Sequence, residues 1–455
     1  STMTDVQVSR RGNGFAYVPG RLLVSGDAAA ERADQLLGGV GRSLRERQPL
    51  VEDENVPWRR LDVGEEVYEG FADAPDVVDV LDVVDELRSE GFRAQPDHVF
   101  FAHGCTAPTW ARPCPCDPTA GGPWASRPGA NPLRANPLRA NPLRANPLRA
   151  NHPFDNTARP ADGPELVNAQ SLARMAGAGG GPRILVLDSG IAGTGPAAAK
   201  ANAVGAAGGW GPAPLLQSAG QRISGDAESP DTVPENAADG FLDPVAGHGT
   251  FIAGIIEQLA PGCTVTVLQV LDPLGLVCES DLVTALHTRG TGYDIVSMSF
   301  GGPVMERADA IKGAVARLRR LGAVVVASAG NDATCVPHVP ASLPGVIAVG
   351  ALGTCGPAEF TNYGDWVDAC APGVDLVSAF FDRFDGRNPA VNGLDLDRYT
   401  GWARWSGTSF AAPVVVAALA REVMTHGVSA VEAVWRVIEA PHLLRLPCLG
   451  TVVNL

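Results

Sequence analysis

Lysine is almost missing from this 455-residue sequence, in which Lys200 and Lys312 are the only two. The remaining basic residues are arginines, and with abundant glycine and alanine this bias reads as genomic, not functional. No basic stripe offsets the formal charge of −15, which argues against nucleic acid or an anionic membrane as a partner. Long apolar runs are missing too. The longest, FAAPVVVAALA from Phe410, is too short to span a bilayer. The opening STMTDVQVSRRGNG has no apolar signal core. Ser1-Thr2 before Met3 reads as a tag remnant with a native start at Met3, which makes the cytoplasm the expected location; a trimmed signal peptide would change that expectation.

A disulfide framework is also lacking. Nine cysteines leave one over under any complete pairing, and their spacings outline no small stapled scaffold. Cys105, Cys114 and Cys116 with His103 form a candidate metal cluster. Their Cys-Pro-Cys pair has one intervening residue where structural zinc sites have two to four, so reduced thiols or local disulfides are preferred and no metal ligand is assigned.

What is present is enough apolar residue, 45% of the chain, for globular cores, and enough length for two or three domains. Residues 130–154 read ANPLRANPLRANPLRANPLRANHPF. Pro132, Pro137, Pro142 and Pro147 each lack a backbone donor and push the preceding Asn out of the helical region, which excludes helix and central strand. A five-residue period is too short for a stacking repeat. The ribbon reads as an extended tether, spanning on the order of 60 Å from Asn131 to Ala150 at about 3.1 Å per residue.

Beyond Arg183 short apolar strands alternate with helical stretches, the rhythm of a parallel α/β fold. The expected strands are RILVLDS, TVTVLQVL, YDIVSMSF, AVVVASAG and GVIAVGAL; the expected helices include HGTFIAGIIEQLA and RADAIKGAVARLRRLG. Continuous Val, Ile and Leu runs suit strands covered on both faces, so a doubly wound, mostly parallel sheet with helices on both faces is expected. The first part differs. GRLLVSG and DHVFFAHG read as strands, with DAAAERADQLLGG and DVVDVLDVVDELRSEG as helices, outlining a small α+β domain. The expected division is a flexible start over 1–15, this domain over 16–104, a Cys- and Pro-rich linker over 105–165, and the α/β domain over 166–455.

Three fragments of the larger domain share one chemistry. VLDSG puts Asp188 after a buried strand, at the sheet edge where α/β proteins build sites, although Asp-Ser-Gly is also an ordinary turn. GHGTFIAG opens a helix with His248, and Gly249, Ala253 and Gly254 allow close packing. WSGTSFAAPVVVAALA sets Ser409 in the first turn of a long apolar helix; its bland reading is a helix cap, a role also open to Thr408. A hydroxyl, an imidazole to take its proton and a buried carboxylate to orient the imidazole are the parts of nucleophilic acyl transfer. VVVASAGND adds Asn331, whose amide, with the Ser409 backbone N–H, would face a developing oxyanion.

These motifs, DSG, HGTFIAG, AGN and GTSFAAP in that order, resemble the subtilisin-like serine proteases, the subtilases. The resemblance runs from about Arg183 onward and implies serine endopeptidase activity on protein or peptide substrates. Sedolisins match less well, since they carry glutamate where His248 stands. It implies further that Ser299, Phe300, Gly301 and Gly302, with Ser328, Ala329 and Gly330, wall the pocket for the residue before the scissile bond. Asp332 beside them is either a rim charge favouring a basic residue or a solvated loop carboxylate. Residues from about Ala16 to Gly104 resemble the family's inhibitory prodomain, which makes the chain a self-inhibited zymogen whose own N-terminal domain is a partner. The chemistry requires no cofactor. The family's calcium sites find no residue-by-residue match, and calcium stays unassigned.

One departure stands out. The interval from Asp188 to His248 is about thirty residues longer than usual in the family, and the extra stretch, residues 207–240, is polar and turn-rich. It is expected to be a surface loop near the cleft, acting as lid or exosite. The rival readings are a non-catalytic binding protein on the same scaffold, disfavoured because all four chemical positions are intact, and an esterase or peptide ligase using the same three groups.

Overall fold

A computed structural model describes residues 6–9, 14–39, 44–53, 56–64, 80–102, 158–161, 180–192, 214–228, 243, 245–304, 307–387 and 396–454. The repeat ribbon and Cys105, Cys114 and Cys116 lie outside the described residues.

In the N-terminal unit, β1 (Gln7–Ser9), β2 (Phe15–Ser25), β3 (Leu44–Pro49), β4 (Trp58–Val63) and β5 (Ala94–Ala102) form an antiparallel sheet, with helices α1 (Asp27–Gly39) and α2 (Val80–Ser89). Side chains alternate across a strand. Accordingly Leu22 and Val24 of β2 pack with Ala30, Ala33, Leu37, Val84 and Leu87 of the helices, whereas Leu23 joins Trp58 and Phe100 on the opposite face. That face rests on the larger unit. The Arg-rich β3 was not foreseen: it is an exposed edge strand without apolar alternation, and charge on such an edge discourages pairing with other chains.

The larger unit runs through β6 (Arg159–Pro160), β7 (Arg183–Asp188), β8 (Ile191–Ala192), α3 (Pro214–Ala219), β9 (Ile223–Gly225), β10 (Ala227–Glu228), α4 (His248–Leu259), β11 (Thr264–Gln269) and β12 (Leu276–Cys278). It continues with α5 (Glu279–Thr288), β13 (Ile295–Met298), β14 (Phe300–Gly301), α6 (Asp309–Arg320), β15 (Val324–Ser328), β16 (Val346–Gly353), β17 (Gly356–Pro357) and β18 (Ala369–Pro372). The hairpin β19 (Leu376–Arg387) and β20 (Leu396–Trp405), helices α7 (Thr408–His426) and α8 (Ala430–Val434), and β21 (Arg445–Leu446) and β22 (Gly450–Val452) complete it.

The central sheet has the order β21-β22-β18-β16-β15-β13-β7-β11-β9, and from β22 to β9 every pairing is parallel. The alternation in β7 shows why the apolar runs are continuous. Ile184 and Val186 pack with Phe251 and Ile255 of α4 and Val415 and Leu419 of α7. Leu185 and Leu187 pack with Leu282 and Leu286 of α5 and Ile311 and Val315 of α6. Both faces are thus covered by helices, and the chain is α/β with a doubly wound sheet. Helix α7 is apolar and long enough to cross a membrane by composition, and 72% of its apolar window is buried inside this protein as a core helix.

The strand expected over YDIVSMSF is broken at Ser299, between β13 and β14. A larger difference concerns residues 207–240, expected as a surface loop. Their described part, 214–228, forms α3, β9 and β10; β9 extends the central sheet beside β11, and Leu216, Ile223 and Glu228 are buried. The polar, Gly-rich composition conceals an edge strand that needs only a few apolar residues because the sheet supplies its partner.

Candidate active site

The strand β7 ends on Asp188, and the next turn runs beneath the start of α4. Gly249 permits this approach, because a Cβ there would stand 2.2 Å from the Gly190 carbonyl oxygen. Gly247 caps α4 with a positive φ of 78°, and a Cβ would strike the Phe380 ring. His248, the first residue of α4, thereby meets the carboxylate: its Nδ1 lies 2.8 Å from Asp188 Oδ1, which also accepts the Ser189 N–H at 2.8 Å. Both side chains are buried, and the His248 ring packs on Phe410 and Trp405. Its Nε2 is buried and makes no hydrogen bond. An unpartnered buried polar atom costs about 1–3 kcal/mol, and such atoms concentrate where function needs them.

Ser409 is the second residue of α7, beside Phe410 on the His248 ring. It is not a helix cap. Its hydroxyl donates to the Ser299 carbonyl at 3.1 Å, and the Ser299 hydroxyl donates back to the Ser409 carbonyl at 3.0 Å. The second bond has a covalent cause: Pro413, four residues on, has no N–H to give the Ser409 carbonyl, so Ser299 satisfies it instead. Thr408 does not cap the helix either. Its N–H and hydroxyl both donate to Asn331 Oδ1, at 2.9 and 2.8 Å, while its oxygen accepts the Gly330 N–H at 3.1 Å. Because a backbone N–H only donates, the oxygen end of the Asn331 amide must face Thr408, and Nδ2 is the end able to meet an oxyanion. The N–H of Ser409 belongs to the first turn of α7, where helices leave their donors without internal partners.

The two segments expected to wall a specificity pocket are brought together by a third. Gly302 and Val339 exchange backbone hydrogen bonds at 3.0 and 2.9 Å, and Ala329 and Gly330 follow Ser328, the last residue of β15. His338, between them in space, sits against Gly330, with Asn362 holding the Ala329 carbonyl and the Asp332 N–H. Sequence reasoning missed His338 and Asn362, since their places depend on how the chain returns through Pro340. The solvated reading of Asp332 is corrected: its side chain is 10% exposed and 3.7 Å from His338 Nε2. Burial pushes the Asp332 carboxyl up to about 7 and His338 down to about 4.

Strand β5 of the N-terminal unit ends between β12 and β14. Val99, Phe100 and Phe101 pair antiparallel with Cys278, Val277 and Leu276; Phe101 and Ala102 pair with Gly301 and Phe300. Phe100 is fully buried there, a contribution of about 2–3 kcal/mol. The same unit caps two helices. Asp97 accepts the Ser280 N–H and hydroxyl at 2.9 and 2.8 Å, and Gln95 accepts the Asp309 N–H at 2.9 Å. The two N–H groups are first-turn donors of α5 and α6, so the contact uses bonds that the helices cannot make themselves. Beside them the buried His98 and Glu279 meet at 2.6 Å.

Other nucleophiles are poorly placed. Cys263, Cys278 and Cys370 are buried thiols, with burial pushing Cys263 and Cys370 up to about 12, and Cys448 is disulfide-bonded. Among the described residues no group of three or more His, Cys, Asp or Glu side chains is arranged to hold a metal ion.

Known proteins resemble this chain in sequence and in fold. A thermophilic serine proteinase of Bacillus sp. (strain AK1) is 35% identical over 191 residues, 39% of this chain and 43% of that protein. Subtilisin-like protease 2 of Pseudogymnoascus destructans is 34% identical over 198 residues, 41% of this chain and 45% of that protein. The chain thus spans less than half the length of these curated relatives. The crystal structure of fervidolysin from Fervidobacterium pennivorans, a keratinolytic enzyme related to subtilisin, superposes with a TM-score of 0.54 at 18% identity, covering 96% of this chain and 60% of that one; the likeness concerns fold alone. The model of the subtilase family matches residues 179–432, more than half of the sequence, and the chain belongs to that family.

Proposed function

We propose that this chain is a serine endopeptidase, held inactive by its own N-terminal unit until the connecting segment is cut. The observation that carries the reading is the seat of β5. A substrate strand in the same register would place the residue after the Ala102 position opposite Ser299, whose carbonyl receives the Ser409 hydroxyl. The strand bound there is therefore aligned like the acyl side of a peptide substrate.

The reaction follows from the groups present. His248 Nε2 takes the Ser409 hydroxyl proton as Oγ attacks the peptide carbonyl, and Asp188 Oδ1 keeps the Nδ1 proton in place and offsets the imidazolium charge. The Ser409 N–H and Asn331 Nδ2 receive the oxyanion. The proton passes from Nε2 to the leaving amine, and water then releases the acyl group by the same path. For the Ser409 hydroxyl to reach Nε2 it must turn from the Ser299 carbonyl; catalytic hydrogen bonds commonly form only when substrate is seated. Ser299–Gly302 and Ser328–Gly330 hold the substrate, and Phe300 and Gly301 supply its backbone pairing.

The autocatalytic cut is expected between His103 and Pro160. Intact mass and N-terminal sequencing of wild type beside Ser409→Ala test this. Wild type should separate into two fragments while the alanine chain stays whole. A wild-type chain that is active uncut, or an alanine chain cut at the same bond when pure, contradicts the zymogen reading.

A pH dependence follows from Asp97. Burial pushes its carboxyl up to about 6 in the docked state, against the two Ser280 donors, and an exposed aspartate lies near 3.9. The docked state therefore binds more protons, so this group's contribution to docking is fullest below about pH 4 and is lost as pH rises through about 6. Activity released from the cleaved protein on dilution should increase from pH 5 to pH 7, and Asp97→Asn should flatten that increase severalfold. Equal slopes for the two proteins would remove Asp97 from the account.

A further inference from the structure

The reaction leaves the buried carboxyl of Glu228, near the dyad, unused. Glu228 closes β10, in register with Ala192 of β8, and is 4% exposed. Its Oε1 accepts the Gly247 N–H at 2.9 Å, and its Oε2 lies 3.3 Å from Thr250 Oγ1. Ser189 directs its hydroxyl to Glu228, while Ser189 Oγ accepts the Gly249 N–H at 3.0 Å and Thr250 Oγ1 accepts the Ala192 N–H at 2.8 Å. One carboxyl thus ties the first turn of α4, which carries His248, to the turn that follows Asp188.

These bonds answer a local need. The first N–H groups of α4 have no partner within the helix and the cap residue Gly247 has no side chain to offer, so the His248 N–H turns to the Val245 carbonyl and the Gly249 N–H to Ser189 Oγ, whose hydroxyl Glu228 receives. The 2.8 Å contact from Asp188 to His248 bridges the two elements that Glu228 joins, so its length depends on how firmly they are joined. Charge sets the protonation state. Burial holds the Glu228 carboxyl well above the usual carboxylate range, and the neighbouring charge of Asp188 pushes it the same way. The nearby Asp226 is occupied elsewhere, at 3.0 and 3.1 Å from the Arg289 guanidinium.

We propose that Glu228 is a positioning residue for the catalytic dyad: by holding the Gly247 N–H and the hydroxyls of Ser189 and Thr250, it fixes the start of α4, which carries His248, to the turn that follows Asp188. Burial keeps this carboxyl protonated, so it adds no anion to that of Asp188 beside His248. The inference rests on the serine-peptidase reading above. Glutamine reproduces such a group, with its carbonyl oxygen for the Gly247 N–H and its amide N–H for the hydroxyl oxygens; alanine does not.

The test uses the processed enzyme, with kcat counted per site titrated by a fluorophosphonate so that unfolded chains drop out. Glu228→Ala should lower kcat by about 10–100-fold with KM within about twofold, since misplacement by about 1 Å costs rates of that order. Glu228→Gln should keep kcat within about threefold and leave the acid limb of the kcat/KM profile, set by His248, where wild type has it. Wild-type kcat in the alanine variant overturns the proposal. So does a glutamine variant as slow as alanine, or one whose acid limb falls by about a unit, as removal of an anion beside His248 would cause. If the alanine chain fails to fold, the glutamine profile alone decides. Each of these failures leaves the serine-peptidase reading standing, because that reading is decided at Ser409.

Discussion

Replacing Ser409 with alanine is expected to lower peptide hydrolysis by a factor on the order of 10⁶, the loss seen when the nucleophile of such a triad is removed. The remainder, roughly 10³–10⁴ over water, comes from the oxyanion donors and from substrate positioning, which alanine leaves in place. Folding should survive. Alanine removes a single hydroxyl bond, that to the Ser299 carbonyl, and the Ser409 carbonyl keeps the Ser299 hydroxyl. Because the alanine chain is also expected to stay uncut, both proteins are assayed after the linker arginines have been cut by trypsin on a resin that is then removed. Turnover within tenfold of wild type would assign the chemistry to another group.

Asn331→Ala is expected to lower kcat by roughly 10²–10³, or about 2.7–4 kcal/mol, with little change in KM, because the lost donor meets charge that exists only in the transition state. Ser409 should still be labelled by a fluorophosphonate. The structure adds a condition. Thr408 fixes the oxygen end of the Asn331 amide through two hydrogen bonds, so Asn331→Asp, which retains those acceptors but puts an anion where the donor stood, should be at least as slow as alanine. Unchanged kcat in both variants would remove Asn331 from the oxyanion site.

How far the sequence could be read depended on where each residue finds its partner. The parallel strands were legible because Ile184 to Leu187 must be apolar on both faces at once, which leaves an unmistakable run. The start of α4 was legible because a histidine between two glycines puts an imidazole where an apolar residue would pack, while the glycines let neighbouring chain approach it. Glu228 was not legible: it lies in a polar, Gly-rich stretch, and its importance comes from the N–H of Gly247 and the hydroxyls of Ser189 and Thr250, distant in sequence. Thr408 resembled a helix cap because that is the commonest use of a threonine at a helix start, whereas its bonds run to Asn331, 77 residues away. The same limit hid His338, Asn362 and the caps from Gln95 and Asp97, all of which act on another element's unpaired backbone or side chains.

The central claim is that the Ser409 hydroxyl is the nucleophile and that the Asp188–His248 dyad activates it. Reaction of the processed protein with a fluorophosphonate, followed by peptide mass analysis, tests this most directly. The account predicts one adduct per chain, on the peptide carrying Ser409, absent from Ser409→Ala and formed far more slowly in His248→Ala. No adduct, an adduct on another residue, or equal labelling of the Ser409→Ala chain would contradict it.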